Sequence, residues 1–232
     1  MPSAVQKIFS EIPSTYELVN HVLTLGLDIA WRRKAARLAA VPGNRDEARL
    51  LDVCTGTGET AVYLRRWAKH AEVVAVDFTE RMLRTARAKE GARGIRLVMA
   101  DAQRLPFADN SFDAVTISFA TRNLNRDREN LLACLREFKR VLKQGGTLVN
   151  LETSQPLSRR VRRVYHCYVR LLVKPVGARI SGSEAGYAYL SHTIPLFYDA
   201  EELASVVRQA GFTAVTYQRL LFGIAAIHMA TK

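Results

Sequence analysis

Cysteine is scarce in this chain, and so are long apolar runs and negative charge. Its three cysteines, Cys54, Cys134 and Cys167, are widely spaced and odd in number. They build no disulfide framework and match no metal-ligand spacing, so no metal is expected and a reducing cytoplasm suits the chain best. No stretch approaches the roughly eighteen apolar residues of a membrane span, and the segment from Met1 to Lys7 lacks an apolar core of signal-peptide length. The expectation is a soluble protein, at most peripheral to a membrane. Acids number 22 against 34 lysines and arginines, giving a net charge of +12. That imbalance raises anionic partners, nucleic acid or acidic lipid, without choosing between them. Hydrophobic residues make up 48% and charged residues 24% of 232 positions, which is enough for one larger domain with a real core.

The chain is organised around Leu50 to Thr60, an apolar run that breaks into glycines and then turns helical. A strand, a tight loop and a helix N-terminus leave free N–H groups facing a ligand, and Gly56 and Gly58 let the backbone take φ > 0 and come close to it. Gly56, Gly58 and Ala61 satisfy Gly-x-Gly-x-x-Ala. Asp77 ends the next apolar run about twenty residues on, where a ribose-binding acid belongs in a Rossmann unit. The alternative is a βα turn whose glycines only permit the bend.

Upstream, Ile8, Phe9, Tyr16, Leu18, Val19, Val22 and Leu23 recur near helical spacing, with a break at Pro13-Ser14-Thr15 and a cap at Ser14 or Thr15. Pro42-Gly43-Asn44 marks a turn, and the first strand is expected over 49–54. Helices and strands then alternate, the pattern of a parallel doubly wound sheet. The spacing predicts a helix over 60–69, a strand over 72–77, a helix over 79–88 capped by Thr79, and strands over 96–100 and 112–118. A long helix over 128–142 should end in a left-handed cap at Gly145 or Gly146, with Lys143 on its dipole, before a strand over 147–152. About forty-five residues of helical pattern follow, too many for a crossover, and form a candidate substrate cap. A helix over 200–209 and two last strands suggest an antiparallel C-terminal edge. The expected division is a helical N-terminal segment (1–44), a cofactor-binding core (45–153), a cap (154–198) and a closing helix with strands (199–232), all in one domain.

Four segments, Leu51 to Glu59, Val76 to Leu83, Ala100 to Phe107 and Phe138 to Gly146, resemble in register the successive motifs of class I S-adenosylmethionine-dependent methyltransferases. More narrowly, Phe9 to Asn20, Ile117 to Leu124, Gly186 to Leu190 and the closing Phe222 to His228 are similar to the ubiquinone/menaquinone C-methyltransferase family, over nearly the whole chain. The resemblance implies a Rossmann-like α/β fold with a seven-stranded, mostly parallel sheet. It also implies S-adenosylmethionine as cofactor and methyl transfer to a ring carbon of a polyprenylated hydroquinone. Thr55, Gly56 and Gly58 would then lie along the methionine part, and Asp77 would accept both ribose hydroxyls. Asp101 and Ala102 would meet the adenine edge, Phe78 and Ser118 would complete the cofactor set, and Tyr16 and Asn20 would close over it. Arg122 and Asn123 follow the fourth strand. An arginine stays protonated at physiological pH, so Arg122 is read as holding a phenolate or an activating water, and Asn123 as fixing orientation. Where the family carries a Glu-Ser pair in the cap, this chain has His192-Thr193, and the family's Glu-Phe-Ser-Lys-Pro is here Glu152-Thr153-Ser154-Gln155-Pro156. An imidazole suits proton transfer near neutral pH, which makes His192 the candidate base; a packing or surface histidine is the alternative.

Arg159, Arg160, Arg162, Arg163 and Arg170 interleave with Val161, Val164, Tyr165, Tyr168, Val169 and Leu172 at helical spacing. That is an amphipathic basic helix, either a charged face over a buried stripe or a contact with an anionic membrane. A homodimer is compatible with the chain. Three other functions compete. A nicotinamide-dependent oxidoreductase would share the glycine loop and Asp77, but no Tyr-x-x-x-Lys pair follows: Tyr165 is succeeded by Val169 and Tyr168 by Leu172. A nucleic-acid-binding protein would suit the charge but lacks a recognition module, so no nucleic acid is expected. A methyltransferase acting on a soluble aromatic or other small molecule keeps the cofactor half and changes the acceptor.

Overall fold

The computed structural model describes residues 15–40 and 47–232, leaving the side chain of Tyr16 aside. The expected stripe at Ile8 and Phe9, the break at Pro13-Ser14 and the turn at Pro42-Gly43-Asn44 lie outside those residues. Helices α1 (Tyr16–Thr24) and α2 (Leu27–Ala40) precede β1 (Arg49–Val53), α3 (Glu59–Trp67), β2 (Glu72–Asp77), α4 (Glu80–Arg87) and β3 (Ile95–Met99). Then come β4 (Phe112–Ser118), the short α5 (Thr121–Leu124), α6 (Arg128–Val141) and β5 (Leu142–Thr153). A helical segment follows, comprising α7 (Arg159–Tyr168), a π-helical turn (Val169–Val173), α8 (Lys174–Ser181) and α9 (Glu184–Thr193). The chain closes with α10 (Ala200–Gln209), β6 (Thr213–Leu220) and β7 (Ala225–Thr231).

The strands form one seven-stranded sheet in the order β3-β2-β1-β4-β5-β7-β6. Strands β1 to β5 are parallel, and β7 runs antiparallel to both β5 and β6. This is the doubly wound, mostly parallel sheet with an antiparallel edge that the alternation of elements predicts. Helices cover both faces, which is why β1, β2 and β4 are mostly apolar on both sides, with buried exceptions such as Asp52 in β1 and Thr116 in β4, which are hydrogen-bonded to each other. Successive side chains point to opposite faces, so Leu51, Val53, Val74 and Ile117 pack with Leu131, Leu135 and Phe138 of α6 and Val207 of α10. Leu50, Val73, Ala75 and Ala114 instead meet Ala35, Ala36 and Ala39 of α2 and Leu64 of α3. Polar caps set the helix starts: Asp127 accepts from the Asn130 N–H at 2.7 Å, and Asp199 with Glu202 forms a reciprocal capping box on α10.

Three local expectations are corrected. The long helix does not end in a glycine cap: Leu142 is already extended (φ −68, ψ 141) and pairs with Phe112 as the first residue of β5. Strand pairing captures the chain straight after Val141, and Gly145 (φ +73) lies inside β5, facing the register shift between Phe112 and Ala114. Lys143 reaches Asp113 at 2.8 Å instead of lying on the helix dipole. Thr79 occupies the N-cap position of α4, but its hydroxyl accepts no capping bond, and its N–H is taken by Asp77.

A third apolar cluster joins the 159–193 helices to the front of the molecule, with Val19 of α1 and Met82 of α4 against Tyr165, Val169, Tyr187 and Leu190. Gly177 makes the closest of these contacts, since a Cβ there would lie 2.1 Å from the fully buried ring of Tyr187. Gly177→Ala should therefore lower stability by about 1–3 kcal/mol, the range for overpacking. A thermal melt checks this, and an unchanged midpoint would show that α8 can move off the ring without cost.

Candidate active site

Strand order reverses between β1 and β4, and open α/β sheets hold ligands at the carboxyl ends of strands beside such a switch point. A cleft of about 550 Å³ lies there. The loop that enters it is bent by left-handed residues, Cys54 (φ 53), Gly56 (φ 56) and Gly58 (φ 83). Asp77 holds this loop: its Oδ2 accepts from the Gly56 N–H and its Oδ1 from the Thr79 N–H, each at 2.9 Å. Burial raises its pKa, opposed by those N–H donors. Each carboxylate oxygen keeps a further acceptor site, and Asp77 lines the cleft.

Asp52, fully buried beneath the loop, accepts from the hydroxyls of Thr55 at 2.5 Å and Thr116 at 2.6 Å. Desolvation outweighs both bonds and pushes its pKa from the ordinary 3.8 to about 6. The folded protein thus binds more protons than the unfolded chain between those values. The contribution of Asp52 to stability is complete below about 3.8 and is lost as pH rises through about 6. Asp52→Asn should remove this dependence, gaining on the wild type by up to about 3 kcal/mol above pH 6. Urea titrations from pH 4 to 8 would show it, and parallel curves for the two proteins would contradict it.

Of the residues picked out by sequence, Thr55, Gly56, Asp77, Phe78, Asp101, Ala102, Ser118 and Asn123 all line this cleft. Gly58 does not. It is the N-cap of α3, where a Cβ would press on Ala86 at 2.9 Å, so its smallness serves helix packing. Asn20 and Arg122 line a second cavity instead, and the Tyr16 side chain lies outside the described residues. His192 is exposed and lines neither cavity, because it points away from the inner face of α9 that carries Tyr187 and Leu190.

The second cavity, about 670 Å³, is bounded mainly by apolar side chains such as Leu23, Trp31, Tyr165, Val169, Leu190 and Ile224. Phe119, left-handed at φ 56, belongs to the walls of both cavities. Among the described residues that line the second cavity, Arg122, Glu152 and Asp28 are buried and charged, and Asp28 is taken up by His21, Thr24 and Arg32. Glu152, 1% exposed at the end of β5, accepts from the Arg122 N–H at 3.0 Å through Oε2 and from the Thr153 N–H and hydroxyl at 2.7 and 3.0 Å through Oε1. The Arg122 Nε is a buried donor without an acceptor among the described residues. Arg32, buried between Asp28, Glu59 and the Phe119 ring, stands in the cleft wall near that partition. Glu152, Phe119, Arg32 and Glu59 carry no role that sequence pattern alone assigns. For Glu152 a signal existed, an acid ending a strand at the same sheet edge as Asp77 and Asp101.

A sheet with its last strand inserted antiparallel beside β5, and a ligand cleft at the glycine loop after β1, is the architecture of class I S-adenosylmethionine-dependent methyltransferases, and this chain is such an enzyme. It superposes on the crystal structure of a SAM-dependent methyltransferase, possible histamine N-methyltransferase, from Thermotoga maritima, with a TM-score of 0.63 over 97% of this chain and 99% of that one. At 22% identity that likeness shows the fold alone. The chain belongs to the ubiE/COQ5 methyltransferase family, whose model matches residues 2–232. It is 42% identical to the demethylmenaquinone methyltransferase of Thermus thermophilus, covering 97% of this chain and 100% of that protein. It is 39% identical to the ubiquinone/menaquinone biosynthesis C-methyltransferase UbiE of Desulfotalea psychrophila, covering 98% and 90%.

The cleft suits S-adenosylmethionine on its own chemistry. Among the described residues, and apart from its own chain neighbours, no atom lies within 4 Å of a Cβ built on Gly56, which leaves space for a ligand beside the loop. The Asn123 Oδ1 is buried without a donor among the described residues, and the cofactor carries amine and hydroxyl donors. Among the described residues no helix is long and apolar enough to cross a membrane.

Proposed function

We propose that the enzyme methylates a ring carbon of a polyprenylated hydroquinone, of the demethylmenaquinone or ubiquinone-precursor type. The observation that carries this reading is the second cavity: apolar, within the roughly 300–1,000 Å³ of small-ligand sites, and parted from the cofactor cleft by Phe119. Its one buried cation beside a buried carboxylate suits a phenol head group, while the apolar walls suit the first prenyl units. The names of the relatives point the same way.

Bound S-adenosylmethionine supplies an electrophilic methyl group on a sulfonium. The chain's own residues bind, orient and manage the proton. Asp77 is assigned to the ribose hydroxyls, Asp101 to the adenine amine, and Thr55 with Gly56 to the methionine part. Asn123 is assigned to orientation at the partition. Arg122, through its unpartnered Nε, holds the phenolate oxygen, and a preorganised cation in a low-dielectric site is worth more than one in water. Glu152 takes the hydroxyl proton, since Oε2 has an acceptor site left. This gives Glu152 the role of base that the sequence suggested for His192. The ring carbon gains the methyl group, leaving the neutral thioether S-adenosylhomocysteine, and the hydrogen on that carbon returns as a proton to the ring oxygen, restoring the aromatic hydroquinone.

Quinone profiling of a deletion strain by mass spectrometry tests the acceptor. Loss of the methylated quinone, accumulation of its precursor and rescue by the wild-type gene are expected. An unchanged profile would favour the other reading, a soluble aromatic acceptor.

A further inference from the structure

Three apolar side chains stand at the mouth of the second cavity. Leu25, Val164 and Phe222 all line it, yet they are 88%, 70% and 79% exposed, so they form its rim. Two of them sit on left-handed backbone. Leu25 follows α1 with φ 53 and ψ 36, and Phe222 has φ 56 and ψ 15 in the turn between β6 and β7, next to Leu221 at φ 41. Such conformations are unfavourable for bulky L-residues and suit glycine or asparagine. Nor does burial compensate, because these side chains have almost none. Strain and exposure coincide at one rim, where a partner that takes up apolar side chains would offset both.

The rim adjoins a strip of cations. Arg160 lines the same cavity, and Arg159, Arg163 and Arg170 line a groove on the outer side of the same helical run. All four are exposed, and among the described residues none is paired with an acid, whereas Lys174 just beyond is held by Glu184 at 2.7 Å. Charge chooses the occupant. A second copy of a chain carrying +12 would set cations against cations, while anionic lipid answers both the arginines and the apolar rim.

We propose that this rim docks on an anionic bilayer, with Leu25, Val164 and Phe222 entering the acyl region and Arg159, Arg160, Arg163 and Arg170 on the headgroup phosphates. The cavity mouth then opens into the membrane. The inference deepens the proposed function and rests on it only for the direction of the acceptor's tail; the docking follows from the rim itself.

Co-sedimentation of the full chain with extruded vesicles tests it, comparing phosphatidylcholine alone with phosphatidylcholine plus phosphatidylglycerol across a salt series. Wild-type protein should pellet with the anionic vesicles, less so as salt rises. Leu25→Asn with Phe222→Asn should weaken partition by about tenfold or more. Asparagine suits the left-handed backbone, so the thermal midpoint and the calorimetric affinity for S-adenosylhomocysteine should hold. Arg159→Gln with Arg163→Gln should flatten the salt dependence, and this pair decides the matter if the first variant loses its fold. Equal pelleting with neutral vesicles, no pelleting with either, or wild-type partition by a folded Leu25→Asn, Phe222→Asn variant would overturn the proposal. So would a dimer-to-monomer change in that variant without change in partition, which would assign the rim to a second copy. The vesicles hold no quinol, so failure here removes the docking face and leaves the acceptor to quinone profiling.

Discussion

Glu152→Gln should lower kcat by about 10²–10⁴-fold, the usual contribution of a positioned acid or base, while S-adenosylhomocysteine binds as tightly as to the wild type. The substitution keeps the shape of the side chain and one acceptor oxygen for Thr153 or the Arg122 N–H, so the local fold should survive. What it removes is the negative charge and the remaining acceptor site on Oε2. Methyl transfer from a sulfonium asks little covalent chemistry of the protein. The ring carbon becomes a good nucleophile when the neighbouring hydroxyl loses a proton, and Glu152 and Arg122, joined through the Arg122 backbone N–H, both stand buried in the wall of the acceptor cavity. His192→Ala is the contrast. An exposed side chain that lines neither cavity should leave kcat near the wild-type value. Single-turnover rates on a prenylated hydroquinone, with calorimetry for the cofactor product, separate the two residues. A Glu152→Gln enzyme within an order of magnitude of wild type, or a large loss in His192→Ala, would return the proton to the cap histidine.

Asp77→Ala should weaken S-adenosylmethionine binding by about 1.5–3 kcal/mol, roughly 10- to 150-fold, the scale for losing hydrogen bonds to a charged group. The carboxylate does two jobs. It holds the Gly56 and Thr79 N–H groups from two segments at once, and it offers its remaining acceptor sites to the cleft. Removing it loosens the loop as well as the ligand contact, so Asp77→Asn serves as the companion variant. An amide keeps an acceptor for one of the two N–H groups, so much of the loop should hold while the charge is lost. Calorimetry with S-adenosylhomocysteine reads both, and unchanged affinity in Asp77→Ala would take Asp77 out of the site.

The fold and the cofactor half were legible in the sequence because they depend on local order along the chain. A buried parallel strand must be mostly apolar on both faces, a loop bent by left-handed residues needs glycine at least in part, and an acid that ends a strand lies at the ligand edge of any such sheet. Leu50 to Gly58 and Glu72 to Asp77 carry all of this within thirty residues or so of each other. The glycine cap predicted for the long helix failed for the opposite reason. Whether the chain stays helical past Val141 is decided by Phe112, which pairs with Leu142 from a strand distant in sequence.

The acceptor half depended on tertiary structure. Arg122 and Glu152 meet because β4 pairs with β5, and Asn20 and Tyr165 join them in one cavity wall only because the 159–193 helices fold back over α1 and the end of β5. Sequence could name Arg122, which follows a strand, but it could not tell which face of the cap helix would turn inward. On α9 the inward face carries Tyr187 and Leu190, packed with Val169 and Val173, and that packing leaves His192 in solvent. The direction of one helix rotation, set by burial of a large aromatic ring against Gly177 rather than by any local signal, decides which acid or base faces the acceptor cavity.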